Sequence, residues 1–321
     1  MKMCVLILLT ALLTTLTGGC AFVNVEMLRS ASPLQERTVE GDGKAKILVL
    51  EITGVISEKD QSGGQLFEPK PSLVSHIKES LQKAEKDKDV KGVILRINSP
   101  GGTVTASDII YHELNNFRAR TKMPVHACII GLGASGGYYV ATAADEITIH
   151  PTAVTGSIGV MVMKFNVEGL LSKVGVGEET IKSADKKDFF SPFRPTTAEE
   201  LQIMQTIIDK MYGRFMDVIE ARKGNQLDRQ QIRVLADGRV YTADQALEGK
   251  LVDRIGYLDE VIESMKASLG VKEAKVISYY RRGGYKETIY SGGGIPQFNL
   301  ININAGLDLL TSTDFLYLWK P

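Results

Sequence analysis

The stretch PVHACIIGLGASGGYYVA, at residues 124–141, passes from an apolar run into a glycine-rich turn that carries one serine, Ser135. The apolar run predicts a buried strand, and the small residues after Ser135 predict a helix. Gly133, Ser135 and Gly137 match Gly-x-Ser-x-Gly, a pattern that presents a nucleophilic serine on a sharp strand-to-helix turn. Many glycine-rich turns carry a serine without a catalytic role, so this stretch alone leaves both interpretations open.

Strands and helices alternate on both sides of this turn. Apolar, β-branched runs predict strands at residues 46–56, 90–98 and 145–151. Apolar residues at helical spacing predict helices at residues 73–84 and 107–120. This alternation predicts an α/β fold, with βαβ units that form a mostly parallel sheet covered by helices.

The patterns divide the chain into five predicted parts. A long amphipathic helix after residue 195, followed by shorter helices and a strand, predicts a C-terminal helical region. The last part mixes glycine with scattered apolar residues, which suits either loose order or packing on a neighbouring subunit. The parts are a signal peptide (1–19), a linker (20–44), a catalytic core (45–195), a helical region with a closing strand (196–280) and a tail (281–321).

The N-terminal segment MKMCVLILLTALLTTLTGGC has one lysine, then an apolar run from Cys4 to Leu16, then small residues. As a helix this run would be about 20 Å long, whereas the hydrocarbon core of a bilayer is about 30 Å thick. The segment therefore predicts a secretory signal peptide. Its ending resembles a lipobox, which implies lipidation of Cys20 as the mature N-terminus; an uncleaved signal anchor is the alternative. Both predict an extracytoplasmic protein of the cell envelope, attached to the membrane.

Charge and cysteine content exclude several classes of function. The 38 basic and 38 acidic residues leave no net charge, so no nucleic-acid partner is expected. Outside the N-terminal segment Cys128 is the one cysteine, and it is predicted to be a buried thiol. The sequence has no CxxC motif and no His/Cys cluster, so it predicts no metal site and no cofactor.

Histidine is a poor candidate for the base that would activate Ser135. The α/β-hydrolase order requires an acidic residue and then a distant histidine after the serine, but the histidine that follows is His150, close by in sequence. We interpret His150 as structural, and a Ser-His-Asp arrangement remains open only if it reaches Ser135. A lysine can serve instead if burial lowers its pKa from about 10.4. The stretch TIKSADKKDFFSPFRP, at residues 180–195, offers lysines beside phenylalanines, although its composition also suits a solvent-exposed basic loop.

Five sequence blocks, taken together and in this order, resemble signal peptide peptidase A in its short, single-repeat bacterial form. The resemblance covers about residues 45–280. It implies a ClpP/crotonase-like fold of stacked ββα units and a serine protease with a Ser/Lys dyad. The blocks are INSPGGTV (97–104), GLGASGGYYVA (131–141), HPTAVTGSIGV (150–160), IKSADKKDFFSP (181–192) and LADGRVYTADQALEGKLVD (235–253).

The resemblance assigns roles to residues within these blocks. Ser135 corresponds to the nucleophile, and Lys187, the lysine directly before the aspartate, corresponds to the general base. Ser157 matches the serine whose hydroxyl holds the lysine amine, which suits a neutral amine because the hydroxyl adds no charge. Backbone N–H groups of three glycines are expected to form the oxyanion hole. These glycines are Gly101, Gly102 and Gly136.

The same resemblance implies what the protein binds. Its substrates would be signal peptides left in the membrane after preprotein cleavage and other short extended peptides, bound by strand addition. A homo-octamer is expected by analogy, with sites formed between neighbouring subunits. Three alternatives remain open: a protease for one specific membrane protein, a non-catalytic peptide-binding scaffold, and an acyl-CoA enzyme on the same fold.

Overall fold

The computed structural model describes residues 33–59, 71–222, 224–281 and 315–319. The predicted signal peptide, Cys20 and most of the predicted tail lie outside the described residues. The strands are β1 (Gln35–Glu40), β2 (Lys46–Thr53), β3 (Val90–Ser99), β4 (Gly101–Thr103), β5 (Val125–Ala134), β6 (Glu146–Ile149), β7 (Val154–Gly156), β8 (Val240–Thr242), β9 (Arg254–Ile255), β10 (Lys275–Tyr280) and β11 (Leu316–Leu318). The helices are α1 (Leu73–Lys86), α2 (Val104–Thr121), α3 (Gly136–Ala141), α4 (Glu168–Lys173), α5 (Ala198–Glu220), α6 (Arg229–Leu235), α7 (Ala243–Glu248) and α8 (Leu258–Leu269).

A central sheet has the strand order β1-β10-β2-β3-β5-β6-β9, and β7 joins it beside β5. From β10 to β9 all neighbouring strands are parallel. The short strand β8 pairs antiparallel with β7, and β1 pairs antiparallel with β10 at the edge. The predicted α/β fold with a mostly parallel sheet is therefore confirmed.

Both faces of this sheet are covered by helices. The alternation of side chains along β2 places Ile47 and Val49 in one apolar cluster with α8, and Leu48 and Leu50 in a larger cluster with α1, α2 and α3. Cys128 belongs to the cluster with α8 and is fully buried, as predicted. Burial raises the pKa of its thiol to about 12, so the reactive thiolate form is scarce at neutral pH.

Helix α5 is anchored in the core at one end only. It begins at Thr197, whose side chain accepts a hydrogen bond from the Glu200 amide while the Glu200 side chain bonds back to the Thr197 amide. Phe215 and Ile219, near its other end, lie in the large apolar cluster. Most residues in the first turns of α5 are exposed.

The observed fold differs from the predicted limits of two parts of the chain, the linker and the helical region. Residues 35–40, expected in the linker, form β1, because a polar edge strand carries no apolar alternation that the sequence would reveal. The predicted helical region also supplies β8, β9 and β10, and β10 lies between β1 and β2. Residues 196–280 are thus part of the same folded unit as the core. No helix among the described residues is long and apolar enough to cross a bilayer.

Candidate active site

Ser135 lies at the end of β5, on the turn that begins α3. Its backbone angles are φ +53° and ψ −115°, a region that a non-glycine residue adopts only when the surroundings enforce it. The surroundings here are two hydrogen bonds: the Ser135 amide donates to the Gly156 carbonyl at 2.7 Å, and its carbonyl accepts from the Tyr139 amide at 2.8 Å. The side chain makes no capping hydrogen bond to the helix, so the hydroxyl is left for other partners.

The turn between β3 and β4 lies against the start of α3. A Cβ atom on Gly136 would lie 2.4 Å from Ser107 Oγ and 3.1 Å from the Gly101 Cα, so only glycine allows this approach. The three glycines predicted for the oxyanion hole come from these two neighbouring turns. The Gly101 amide donates to Ser99 Oγ at 3.1 Å, and Gly102 pairs with Tyr317 of β11.

Ser157 follows β7 as Ser135 follows β5. The two strands are parallel, with Ala134 opposite Gly156, so the two serines occupy equivalent positions just beyond the paired residues. Ser157 also has a positive φ, of +50°, and its amide donates to the Arg239 carbonyl at 2.7 Å. The register thus places the two serine residues next to each other at the same edge of the sheet.

Lys187 lies in a very different setting. No residue from 159 to 199 is buried in the chain, and Lys187 itself is exposed. Lys182 donates to Asp188 at 2.8 Å, and Lys186 pairs with Glu199. Among the described residues, no side-chain hydrogen bond is formed by Lys187 and none joins it to Ser135. The chain therefore assembles the serine half of the predicted dyad but does not bring the lysine to it.

The His150 side chain contacts Thr152 and Tyr257. Its Nδ1 lies 3.0 Å from Thr152 Oγ1, and its ring meets the ring of Tyr257 edge-on, with centroids 4.8 Å apart. These contacts agree with the structural interpretation of this histidine.

The C-terminal strand β11 occupies the groove beside the serine turn. It pairs antiparallel with β4, with Tyr317 opposite Gly102. On its other side Leu316 and Met161 exchange both backbone hydrogen bonds, at 2.9 and 3.1 Å. A Cβ atom on Gly101 would lie 1.9 Å from the Tyr317 carbonyl oxygen and 2.7 Å from the Gly136 nitrogen. An extended segment of this chain therefore passes directly beside the predicted oxyanion hole.

The Tyr317 side chain fills an aromatic pocket next to this groove and is fully buried. Its ring stacks on Tyr139 at 5.0 Å and packs against Phe215 at 4.7 Å between centroids. Its hydroxyl donates to the Met211 carbonyl at 2.8 Å, and burial raises the pKa of this phenol. Sequence reasoning did not identify Tyr317; the apolar residues near it in FLYLWKP were the one available signal.

Comparison with known proteins agrees with this geometry. Residues 118–272 match the family model of peptidase family S49, and residues 68–154 match that of Clp protease. The chain is 36% identical over 266 residues to a protein of Enterococcus faecium assigned as signal peptide peptidase SppA. This match covers 83% of this chain and 75% of that protein. It is 35% identical to Protease 4 of Haemophilus influenzae, over 68% of this chain and 34% of that protein. It is 30% identical to the chloroplastic serine protease SPPA of Arabidopsis thaliana, over 85% of this chain and 40% of that protein.

The two family-model matches together extend over residues 68–272, which include β3 to β9, the serine turn and the lysine segment. They favour a hydrolytic enzyme over a peptide-binding scaffold or an acyl-CoA enzyme. Since the Enterococcus faecium relative is matched over three quarters of its length, the chain belongs to peptidase family S49 and is a serine protease.

Proposed function

We propose that this protease cleaves extended peptides with Ser135 as the nucleophile and Lys187 as the general base, and that the lysine is supplied by a neighbouring copy of the chain. The observation that carries the proposal is the position of β11. An extended segment pairs with β4 on one side and Met161 on the other, beside the glycines that would bind the reacting carbonyl.

This arrangement supports extended peptides as the class of substrate. Antiparallel backbone pairing binds an extended peptide whatever its sequence, and side-chain pockets add selectivity. The pocket that Tyr317 fills is lined by Tyr139 and Phe215, which suits large apolar or aromatic side chains. Signal peptides are rich in apolar residues, so we propose them as the main substrates, together with other short unfolded chains.

The exposed lysine segment supports a site shared between copies. A lysine amine accepts a proton only when neutral, which needs a dry surrounding and partners without charge. The segment also exposes large apolar side chains of the kind that interfaces cover. These are Phe165, Leu170, Val174, Val176, Ile181 and Phe193. A second copy packed on this surface would exclude water from the Lys187 amine and bring this amine to the Ser135 and Ser157 of that second copy. Repeated head to tail, such contacts close into a ring, and we propose eight copies by analogy with the family.

We propose the following mechanism for a site assembled in this way. Ser135 Oγ attacks the scissile carbonyl while the lysine amine takes its proton, and backbone N–H groups of the two glycine turns, that of Gly136 among them, stabilise the oxyanion. The ammonium then protonates the departing peptide amine, which leaves an acyl-enzyme and a neutral lysine. The same amine deprotonates a water molecule that attacks the acyl-enzyme, and the resulting ammonium gives this proton to Ser135 Oγ as the ester bond breaks, so the site returns to its starting state.

We further propose that the N-terminal segment holds the protease on the extracytoplasmic side of the membrane, where cleaved signal peptides lie. Cys20→Ala distinguishes the two forms of attachment. Fatty-acid labelling of the wild type that this variant loses supports a lipid anchor, whereas a wild type that takes up no labelled fatty acid supports an uncleaved signal anchor.

Mixing two inactive variants tests the shared dyad. Ser135→Ala keeps the lysine and Lys187→Ala keeps the serine, and each alone is expected to lose nearly all activity on a fluorogenic peptide. When the two are dissociated, mixed in equal amounts and reassembled, about a quarter of sites combine an intact serine with a neighbour's lysine. Activity near that fraction is the expected result. Lys186→Ala is the matched control, because Lys186 is paired with Glu199. Mixtures that remain inactive would rule out a lysine from a neighbour, and activity retained in Lys187→Ala would rule out the dyad.

A further inference from the structure

Arg194 connects the residue after Lys187 to the first turn of α5. Its Nε donates to Asp188 Oδ2 at 2.7 Å, and its Nη2 donates to Asp188 Oδ1 at 3.0 Å. Its Nη1 and Nη2 also donate to the two carboxylate oxygens of Glu200, at 3.0 and 2.5 Å. The planar guanidinium therefore binds one carboxylate along each of two edges, a geometry that a lysine cannot reproduce.

Glu200 fixes this connection to the body of the protein. It is only 1% exposed, and its side chain also accepts the Thr197 amide at 2.9 Å. The hydrogen bonds from Arg194 are the main cause that lowers the pKa of Glu200 to about 2, so it is ionised at neutral pH. Because the far end of α5 is in the core, a continuous series of contacts runs from the core through Glu200 and Arg194 to Asp188.

Three other lysines of the segment also have hydrogen-bonding partners. Besides Lys182 on Asp188 and Lys186 on Glu199, Lys164 donates to the Arg194 carbonyl at 2.9 Å and to Thr196 Oγ1 at 2.6 Å. Of the three lysines at 182, 186 and 187, all within the described residues, Lys187 is thus the one that pairs with no carboxylate. A carboxylate next to an amine favours its charged form, so Asp188 would oppose the role of a neutral base if it were free to reach it.

We propose that Arg194 is a positioning residue for the proteolytic reaction, which holds Asp188 against Glu200 so that the main chain at Lys187 is fixed and both carboxylates are kept from its amine. Arg194 touches neither the substrate nor the reacting atoms and acts through Asp188. The inference rests on the proposed role of Lys187. It adds a second requirement to that role, since the lysine must be oriented from its own chain before a neighbouring serine can use it.

Arg194→Gln tests the inference, with kcat and KM measured separately on a fluorogenic peptide. We expect kcat to fall about 100-fold, as for a displaced catalytic group. KM should stay within about twofold, because the groove between β4 and Met161 is untouched and only the chemical step is affected. Combining Arg194→Gln with Asp188→Asn should lower kcat no further, since residues that act through one another are not additive.

Arg229→Gln is the matched control. Arg229 also bonds two carboxylates of α5, those of Asp217 and Glu220, but it lies away from the lysine segment in sequence. It should leave kcat unchanged. If Arg194→Gln fails to assemble, as judged by light scattering, the nearly isosteric Asp188→Asn carries the test alone, with the same expected fall in kcat.

Three results would overturn the inference: a kcat for Arg194→Gln within about threefold of the wild type, equal changes in kcat and KM, or an equal loss in Arg229→Gln. Lys187→Ala is measured in parallel, so that rejection of the positioning role of Arg194 can be distinguished from rejection of the Ser135/Lys187 dyad. An inactive Lys187→Ala beside a fully active Arg194→Gln rejects the positioning role alone. An active Lys187→Ala rejects the dyad and the positioning role together.

Discussion

The two halves of the candidate site are built in opposite ways. The serine half consists of turns at the ends of neighbouring parallel strands, and Ser135 is 1% exposed there. The lysine half is a stretch from 159 to 199 in which no residue is buried, and side-chain ion pairs hold it to α5. Core packing therefore determines the position of the nucleophile, whereas charge pairs and, on our proposal, a second copy determine the position of the base. Changes to the two halves should consequently have different effects.

The largest effect is expected in the serine half, from Gly136→Ala. Its Cβ would lie 2.4 Å from Ser107 Oγ and 3.1 Å from both the Gly101 Cα and the Tyr317 carbonyl oxygen. The turn must move to accept it, which displaces an oxyanion donor, so kcat should fall about 100- to 1,000-fold.

The matched change in the lysine half is Gly169→Ala on α4, where an added Cβ meets no atom within 4 Å. This variant should keep the wild-type kcat, and alanine should slightly favour the helix. Equal kcat values for the two glycine variants would contradict the view that close packing organises the serine half.

The same contrast explains what the sequence could predict. The strands before Ser135 are long apolar runs, and the glycine pattern around it is local, so both are visible in the sequence. The position of Ser157 beside Ser135 depends on the register of β5 and β7, which pair through only three residues each. That pairing is a long-range contact with no local signal, and the role of Ser157 was inferred from the family resemblance alone.

The lysine half shows a different limit. Three lysines of one block look alike in composition, and the resemblance alone selected Lys187. The structure adds the physical distinction, since Lys182 and Lys186 are bound to carboxylates. Strand β11 could not be predicted at all, because three residues in a glycine-rich tail become a strand only through pairing with β4 and Met161.

Removal of residues 315–321 should have the next largest effect, and it should raise activity. A segment tethered to the same chain competes with free peptide at an effective concentration in the millimolar range. Without β11 the groove is open, so kcat/KM for a short fluorogenic peptide should rise about tenfold or more. Unfolding cannot produce such a gain, although the loss of the buried Tyr317 ring should lower the melting temperature.

Removal of residues 320–321 alone is the control for this deletion, because it leaves β11 in place. Its kcat/KM should match the full-length chain. If the longer deletion also leaves kcat/KM unchanged, β11 does not compete with substrate and its position is no guide to peptide binding.

The smallest expected effect is a loosening of the lysine half, and of that half alone, at low pH. The pKa values of Asp188 and Glu200 are held below their usual range, that of Glu200 to about 2, chiefly by hydrogen bonds from Arg194. For carboxyls with a lowered pKa, the stabilisation is complete above the ordinary value of about 4 and is lost as the pH falls through the lowered value. The segment should therefore stay ordered at pH 4 and loosen toward pH 2.

Pepsin, which is active over this range, can report the change through cleavage near Phe189 and Phe190. In the wild type this cleavage should be slow at pH 4 and should accelerate only toward pH 2. In Arg194→Gln the carboxyls lose their main partner and protonate closer to their ordinary pKa, so rapid cleavage should begin about two pH units higher. Circular dichroism must show an intact fold at each pH, because only local opening bears on the comparison. Identical profiles for the two proteins would mean that something other than the Arg194 network orders the lysine segment.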